Sequence, residues 1–219
     1  MLKLGEKGAI LQKDGETYAI APHFPCGVIA NKQLRLIADV AEKYNAAAVK
    51  ITSAARIVIV GIKEEDIDNA WEDLGVSPGH AVGLCIRSIK VCPGTTFCRL
   101  GHQDSLGIGM KLDEQYHGME LPSKTKMAVS GCQNQCAENC IKDVSLVGKK
   151  SGWDLLVGGQ GAAKPRLADT LAKGLDSDEA LKYISKVIDY YRENGKKGER
   201  IGKMIDRIGL ETLKSAVFS

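Results

Sequence analysis

The sequence predicts an α+β protein built in two parts. Three observations support this. Residues 7–75 alternate short β-rich runs with two amphipathic helical stretches. Val76–His80, containing Pro78-Gly79, interrupts that pattern, and the chain beyond it is rich in glycine and cysteine. A long helical periodicity begins near Ser177. The expected division is 1–78 and 79–219, and 219 residues suffice for two small cores.

In the first part, residues 7–21 read as a strand pair turning at Asp14-Gly15. Pro22, Pro25 and Gly27 break the pattern. Asn31 is placed to cap a helix whose apolar face is Leu34, Ile37, Ala38, Ala41 and Tyr44. Two β-rich runs follow, 48–52 and 56–62, joined by Ser53-Ala54-Ala55. A second helix carries Ile67, Ala70, Trp71 and Leu74, with an acidic first turn and Gly75 to close it. This order of elements is close to a ferredoxin-like half-domain.

In the second part, residues 127–130 read as a buried strand that ends in Gly131-Cys132. Residues 144–147 and 155–157 read as further strands, with Gly148, Gly152 and Gly158-Gly159 as turns. A helix is expected from Ser177, with Leu181, Ile184, Val187, Ile188 and Tyr191 on one face, ending at Asn194-Gly195. Residues 200–218 read as one or two short helices around Gly209.

Composition excludes several classes. A net charge of +3, with Lys and Arg spread along the chain, does not suit a nucleic-acid binder. No apolar run approaches a membrane span, and the N-terminus lacks a secretory signal. Seven cysteines are an odd count, which argues against a disulfide framework and for a reducing, cytoplasmic setting.

Four of the cysteines form two unequal pairs, Cys92-Pro-Gly-Thr-Thr-Phe-Cys98 and Cys132-Gln-Asn-Gln-Cys136. Four thiolates drawn from a loop and the start of a helix suit an iron–sulfur cluster. Zinc would accept the spacing of the second pair but not of the first, and buried packing is the remaining reading. Cys26 and Cys85 sit in apolar contexts and read as core. Cys140 follows in line with the second pair and is ranked as packing. The four histidines show no metal-ligand spacing.

These motifs resemble a known family. The Cys-x5-Cys pair, then Gly131-Cys132-Gln-Asn134-Gln-Cys136, then Val144-Ser-Leu-Val-Gly148 and Gly158-Gly159, are similar to the siroheme-dependent sulfite and nitrite reductases. Upstream, residues 50–62 and Pro25-x-Gly27 resemble that family's ferredoxin-like half. Typical members carry two such modules. This chain has one, like the small assimilatory-type sulfite reductases, and lacks the ferredoxin insertion of the dissimilatory enzymes.

The resemblance implies an α+β ferredoxin-like half-domain followed by a domain binding siroheme and a 4Fe–4S cluster. Cys92, Cys98, Cys132 and Cys136 would hold the cluster, with Cys136 shared with the siroheme iron. Arg56, Asn134 and Gly159 would contact the cofactors, and Arg87, Lys124 and Lys126 would bind substrate. Siroheme carries many carboxylates, so its pocket needs donors and positive charge. One position departs from the pattern: the family's Thr-x-Arg-Gln is here Thr52-Ser53-Ala54-Ala55, with an arginine two positions late at Arg56. The implied activity is six-electron reduction of sulfite to sulfide. Nitrite reduction, or a siroheme-free iron–sulfur electron carrier, are the alternatives. A ferredoxin or flavodoxin would supply electrons, docking near Lys142, Lys149 and Lys150. The implied enzyme works as a monomer or a homodimer.

Overall fold

The computed structural model describes residues 1–219. The chain divides into two compact units, Met1–Gly83 and Leu84–Ser219.

The first unit is a four-stranded antiparallel sheet backed by two helices. Its strands are β1 (Ala9–Leu11), β2 (Thr17–Ile20), β3 (Ala48–Ile51) and β4 (Ile57–Lys63), in the order β1-β2-β4-β3. The β1–β2 turn forms where Asp14 accepts hydrogen bonds from the Glu16 and Thr17 amides, both at 3.0 Å. Asn31 is the first residue of helix α1 (Asn31–Lys43) rather than its cap; the cap position is β-region Ala30, whose amide donates to the Gln33 side chain at 3.0 Å. Helix α2 (Ile67–Leu74) closes on Gly75 at φ 59°, a left-handed position suited to glycine. Tyr18, Ile20, Ile37, Val40, Ile59, Ile62, Ile67 and Leu74 share one core.

The inward face of α1 differs from the expected one. Ile37 and Val40 are buried and Leu36 packs beside them, while Leu34 and Ala38 face solvent. Apolar residues at 34, 36, 37, 38, 40 and 41 offer more than one stripe on this helix, and contact with the sheet selects one.

The second unit centres on a five-stranded mixed sheet. Strands β5 (Lys90–Val91), β6 (Met127–Ser130) and β7 (Val144–Lys149) run parallel, and β8 (Gly152–Val157) and β9 (Asp169–Leu175) continue antiparallel. Helices α3 (Gly94–Phe97) and α4 (Ser105–Tyr116) lie between β5 and β6 in the chain, and α5 (Ser177–Asn194), α6 (Ile201–Ile208) and α7 (Leu210–Phe218) complete it. Met127, Val129, Val144 and Leu146 alternate onto one face and join a core with Ile108, Leu112, Ile184, Val187 and Ile188. Helix α5 opens on a capping box, with the Asp176 carboxylate accepting from the Glu179 amide at 2.8 Å and the Glu179 carboxylate accepting from the Asp176 amide at 3.0 Å. No helix is long and apolar enough to cross a membrane.

Candidate active site

The first cysteine of each pair follows a parallel strand. Val91 pairs with Val129, so β5 and β6 end side by side, and Cys92 and Gly131-Cys132 leave them at adjacent carboxyl ends. This end of a parallel sheet is where such folds gather ligands.

Glycines let the loops close on one another. A Cβ at Gly131 would stand 2.7 Å from the Gln103 carbonyl oxygen and 2.8 Å from the Gly94 Cα. One at Gly101 would meet Gly94 at 2.6 Å, and one at Gly148 would meet the Gly131 carbonyl oxygen at 2.6 Å. Hydrogen bonds then fix the loops: the His102 and Gln103 amides donate to the Gly131 carbonyl at 2.7 and 3.1 Å.

The Cys92 sulfur is held within this frame. The Gly131 amide donates to it at 3.1 Å. The buried Ser105 hydroxyl donates to the Cys92 carbonyl at 2.7 Å, with its oxygen 3.4 Å from the sulfur. Cys98 follows the single turn of α3, its amide donating to the Gly94 carbonyl at 2.9 Å. Cys92, Cys98 and Cys132 are partly exposed, Cys136 is exposed, and all seven cysteines are free. No three of the His, Cys, Asp and Glu side chains converge closely enough to hold one metal ion.

The expected helix at Cys132–Cys136 does not form. The segment is a series of turns, with Gln135 at φ 49° and Glu138 at φ 61°, followed by a short 3₁₀ turn at Asn139–Ile141. Cys132 and Cys136 therefore do not lie one helical turn apart. Polar side chains hold the segment instead: Ser130 Oγ donates to Asn139 Oδ1 at 2.5 Å and accepts from the Ala137 amide at 3.1 Å, and the Asn139 amide group donates to the Leu146 carbonyl at 2.8 Å.

Glu138 ties the two cysteine segments together. It accepts from Lys90 at 2.9 Å and from Lys142 at 2.8 Å. Hydrogen bonds from Lys142 and then Lys90 lower its pKa to about 2. Lys142 is thereby buried, and Lys149 is paired with Asp154 at 2.5 Å. Of the three lysines expected to form a docking patch, Lys150 alone is exposed.

Arg87, Lys124 and Lys126 gather at the other end of the sheet. Ile86 bridges Thr125 in parallel while Lys90 pairs with Ala128, so one extra residue is accommodated between them. The Arg87 amide donates to the Thr125 carbonyl at 3.0 Å. Ser123 and Thr125 are buried and Lys124 and Lys126 exposed, so both lysines leave the same face. Partial burial lowers the Arg87 pKa from its very high ordinary value. The Lys126 pKa is lowered by desolvation of the ammonium first, then by Lys142, Arg200 and Lys124.

The remaining positions are dispersed. Asn134 is an exposed turn residue. Gly159 is buried, and a Cβ there would meet the Lys142 and Cys140 carbonyl oxygens at 2.6 and 2.7 Å. Arg56 belongs to the first unit, where Thr52 and Arg56 close the β3–β4 hairpin through a 2.8 Å backbone bond. Sequence reasoning missed Ser105, Glu138, Asp143 and Arg200. The glycines at 94, 101, 131 and 148 were the available signal for tightly packed loops.

The donor chemistry suits an inorganic cluster. It offers four soft thiols on glycine-walled loops, one of them already accepting an N–H hydrogen bond of the kind that tunes cluster sulfur. Such a donor set points to a redox protein of the iron–sulfur class.

The comparisons with known proteins agree. Residues 82–219 match the nitrite and sulphite reductase 4Fe-4S domain, and residues 10–76 match the nitrite/sulfite reductase ferredoxin-like half domain. The chain belongs to the nitrite and sulphite reductase family and is an oxidoreductase of that class. It is 44% identical to the assimilatory-type sulfite reductase of Nitratidesulfovibrio vulgaris, covering 96% of this chain and 97% of that one. It is 42% identical to an NAD(P)H nitrite reductase of Bacillus subtilis over 95% of this chain but only 26% of that one. The fold is similar to that of dissimilatory sulfite reductase I, with TM-score 0.83 and 15% identity over 93% of this chain and 69% of the other. It is also similar to the NirA protein of Mycobacterium tuberculosis, with TM-score 0.80 and 21% identity over 92% and 40% of the two chains. Members of the family use siroheme together with the cluster.

Proposed function

We propose that the protein reduces sulfite to sulfide with six electrons, at a siroheme joined to the 4Fe–4S cluster through the thiolate of Cys136. What supports this reading is a single domain that carries four free cysteines on loops at one end of its parallel strands and Arg87, Lys124 and Lys126, an oxyanion-binding set, at the other. The near full-length similarity to an assimilatory-type sulfite reductase favours sulfite over nitrite.

In this reading Cys92, Cys98, Cys132 and Cys136 hold the cluster. When bound, the cofactors deliver electrons one at a time to the sulfur of the substrate. Arg87, a permanent cation, anchors the sulfite oxygens. Lys124 and Lys126 neutralise the dianion and donate protons to the oxygens that leave as water. The lowered pKa of Lys126 brings its ammonium closer to the range in which it gives up a proton.

The anion-binding residues and the first cysteines occupy opposite ends of the parallel strands. Lys126 and Gly131 are separated by roughly 16 Å of strand. This separation favours a homodimer in which each copy offers its lysines to the other's cofactors. A ferredoxin or flavodoxin in the same reducing compartment serves as electron donor. Turnover assays of the anaerobically purified protein with sulfite and with nitrite test the assignment. Stoichiometric sulfide from sulfite supports it, and conversion of nitrite alone overturns the substrate choice.

A further inference from the structure

Behind Lys126 lies a buried ion pair whose partners come from distant parts of the chain. Asp143 is fully buried, and Arg200 is 6% exposed. Arg200 grips both carboxylate oxygens, through Nε to Oδ1 at 2.8 Å and through its Nη2 to Oδ2. Arg200 stands just before α6, and Asp143 just before β7. Asp143 in turn holds both backbone polar groups of Lys126. Its Oδ2 accepts from the Lys126 amide at 2.7 Å, and its own amide donates to the Lys126 carbonyl at 2.9 Å.

A buried pair of this kind adds little net stability over well-packed apolar residues, because desolvation offsets the attraction. Its usefulness lies in fixing one arrangement. Here the fixed element is the backbone of a lysine whose side chain stays exposed. The pair is also neutral as a unit. A lone carboxylate in that place would attract the Lys126 ammonium and compete with an incoming anion. A lone guanidinium would add to a crowd of cations.

We propose that Asp143 and Arg200 are positioning residues that clamp the Lys126 backbone and keep its ammonium free for an oxyanion. This rests on the reading of Lys126 as a sulfite-binding residue. The charged groups around Lys126 are Lys124, Lys142, Arg200 and Asp143. Lys142 is itself bonded to Glu138. Tyr191, near Asp143, has its pKa raised to about 12 by burial and stays neutral at working pH.

The charge arithmetic gives a test with opposite signs. Asp143→Asn leaves Arg200 uncompensated beside Lys126 and further disfavours the ammonium. Arg200→Gln leaves the carboxylate uncompensated and favours it. The readout is the affinity of the purified holoenzyme for sulfite, followed by the visible spectral change on titration across pH. The alkaline loss of affinity should move to lower pH in Asp143→Asn and to higher pH in Arg200→Gln, each by about one unit. The double variant, with neither charge, should return the pH position close to wild type but bind sulfite more weakly, because the clamp is gone. Arg200→Lys, which keeps the charge but loses the two-pronged grip, should keep the wild-type pH position with weaker binding. If either single variant fails to fold, the double variant and Arg200→Lys carry the test. Shifts in the same direction, unchanged curves, or wild-type affinity in Arg200→Lys overturn the clamp. A wild-type protein whose spectrum does not respond to sulfite overturns the site assignment instead.

Discussion

The Gly131 amide donates a hydrogen bond to the Cys92 sulfur at 3.1 Å, linking the ends of two neighbouring parallel strands. That contact needs the Gly131 backbone to sit against Gln103 and Gly94, where a side chain has no room. Gly131→Ala must displace backbone rather than a flexible side chain. It should cost about 1–3 kcal/mol and lower iron retention. Denaturant melts and iron content per chain check this. Full iron occupancy at wild-type stability contradicts it.

Removing the lysines separates binding of the anion from binding of the cofactors. Lys126→Ala and Lys124→Ala should each lower sulfite turnover by about 10²-fold, the usual scale for a proton donor or charge stabiliser. The visible spectrum should be unchanged. An intact turnover number would return both residues to ordinary surface charge.

Acid should loosen the cysteine loops through Glu138. Its pKa is depressed to about 2 by Lys142 and Lys90, against an ordinary 4.5. A carboxylate with a depressed folded-state pKa stabilises above its unfolded value, and that contribution disappears as pH falls from 4.5 towards 2. Glu138 is 47% exposed, so solvent screening keeps the effect small. Glu138→Gln should flatten this part of the pH–stability curve. An unchanged acid limb would show that the two ion pairs contribute nothing.

Mixing two inactive variants tests the homodimer. Lys126→Ala lacks a proton donor, and Cys136→Ser lacks the shared thiolate. In a crossed dimer one site of the heterodimer is whole. Refolding the two together should restore about a quarter of wild-type activity, since half the dimers are mixed and each has one good site. No recovery, with full activity in a wild-type monomer, would place all the residues in one copy.

Local chemistry made much of the fold legible. The turn at Asp14, the helix stop at Gly75 and the start of α5 at Ser177 each use residues close together in the chain, so the sequence displays them directly. β5 has two residues, and its partner β6 lies more than thirty positions on, so no periodicity could reveal it. The false helix at Cys132–Cys136 arose because a four-residue spacing suits a helical face. Positive φ at Gln135 and Glu138, and the buried Asn139 network, override that preference. Asp143 and Arg200 lie 57 residues apart, and only the folded chain joins them.

Six-electron turnover at coupled cofactors leaves both a spectral and a stoichiometric signature. Anaerobically purified protein is reduced by a low-potential one-electron donor, mixed with sulfite, and assayed for sulfide while its visible spectrum is recorded. Coupled cofactors should give sharp macrocycle bands over the broad cluster absorption, and one sulfide for every six electrons consumed. A brown protein with cluster absorption alone and no sulfide would contradict it, leaving an iron–sulfur electron carrier.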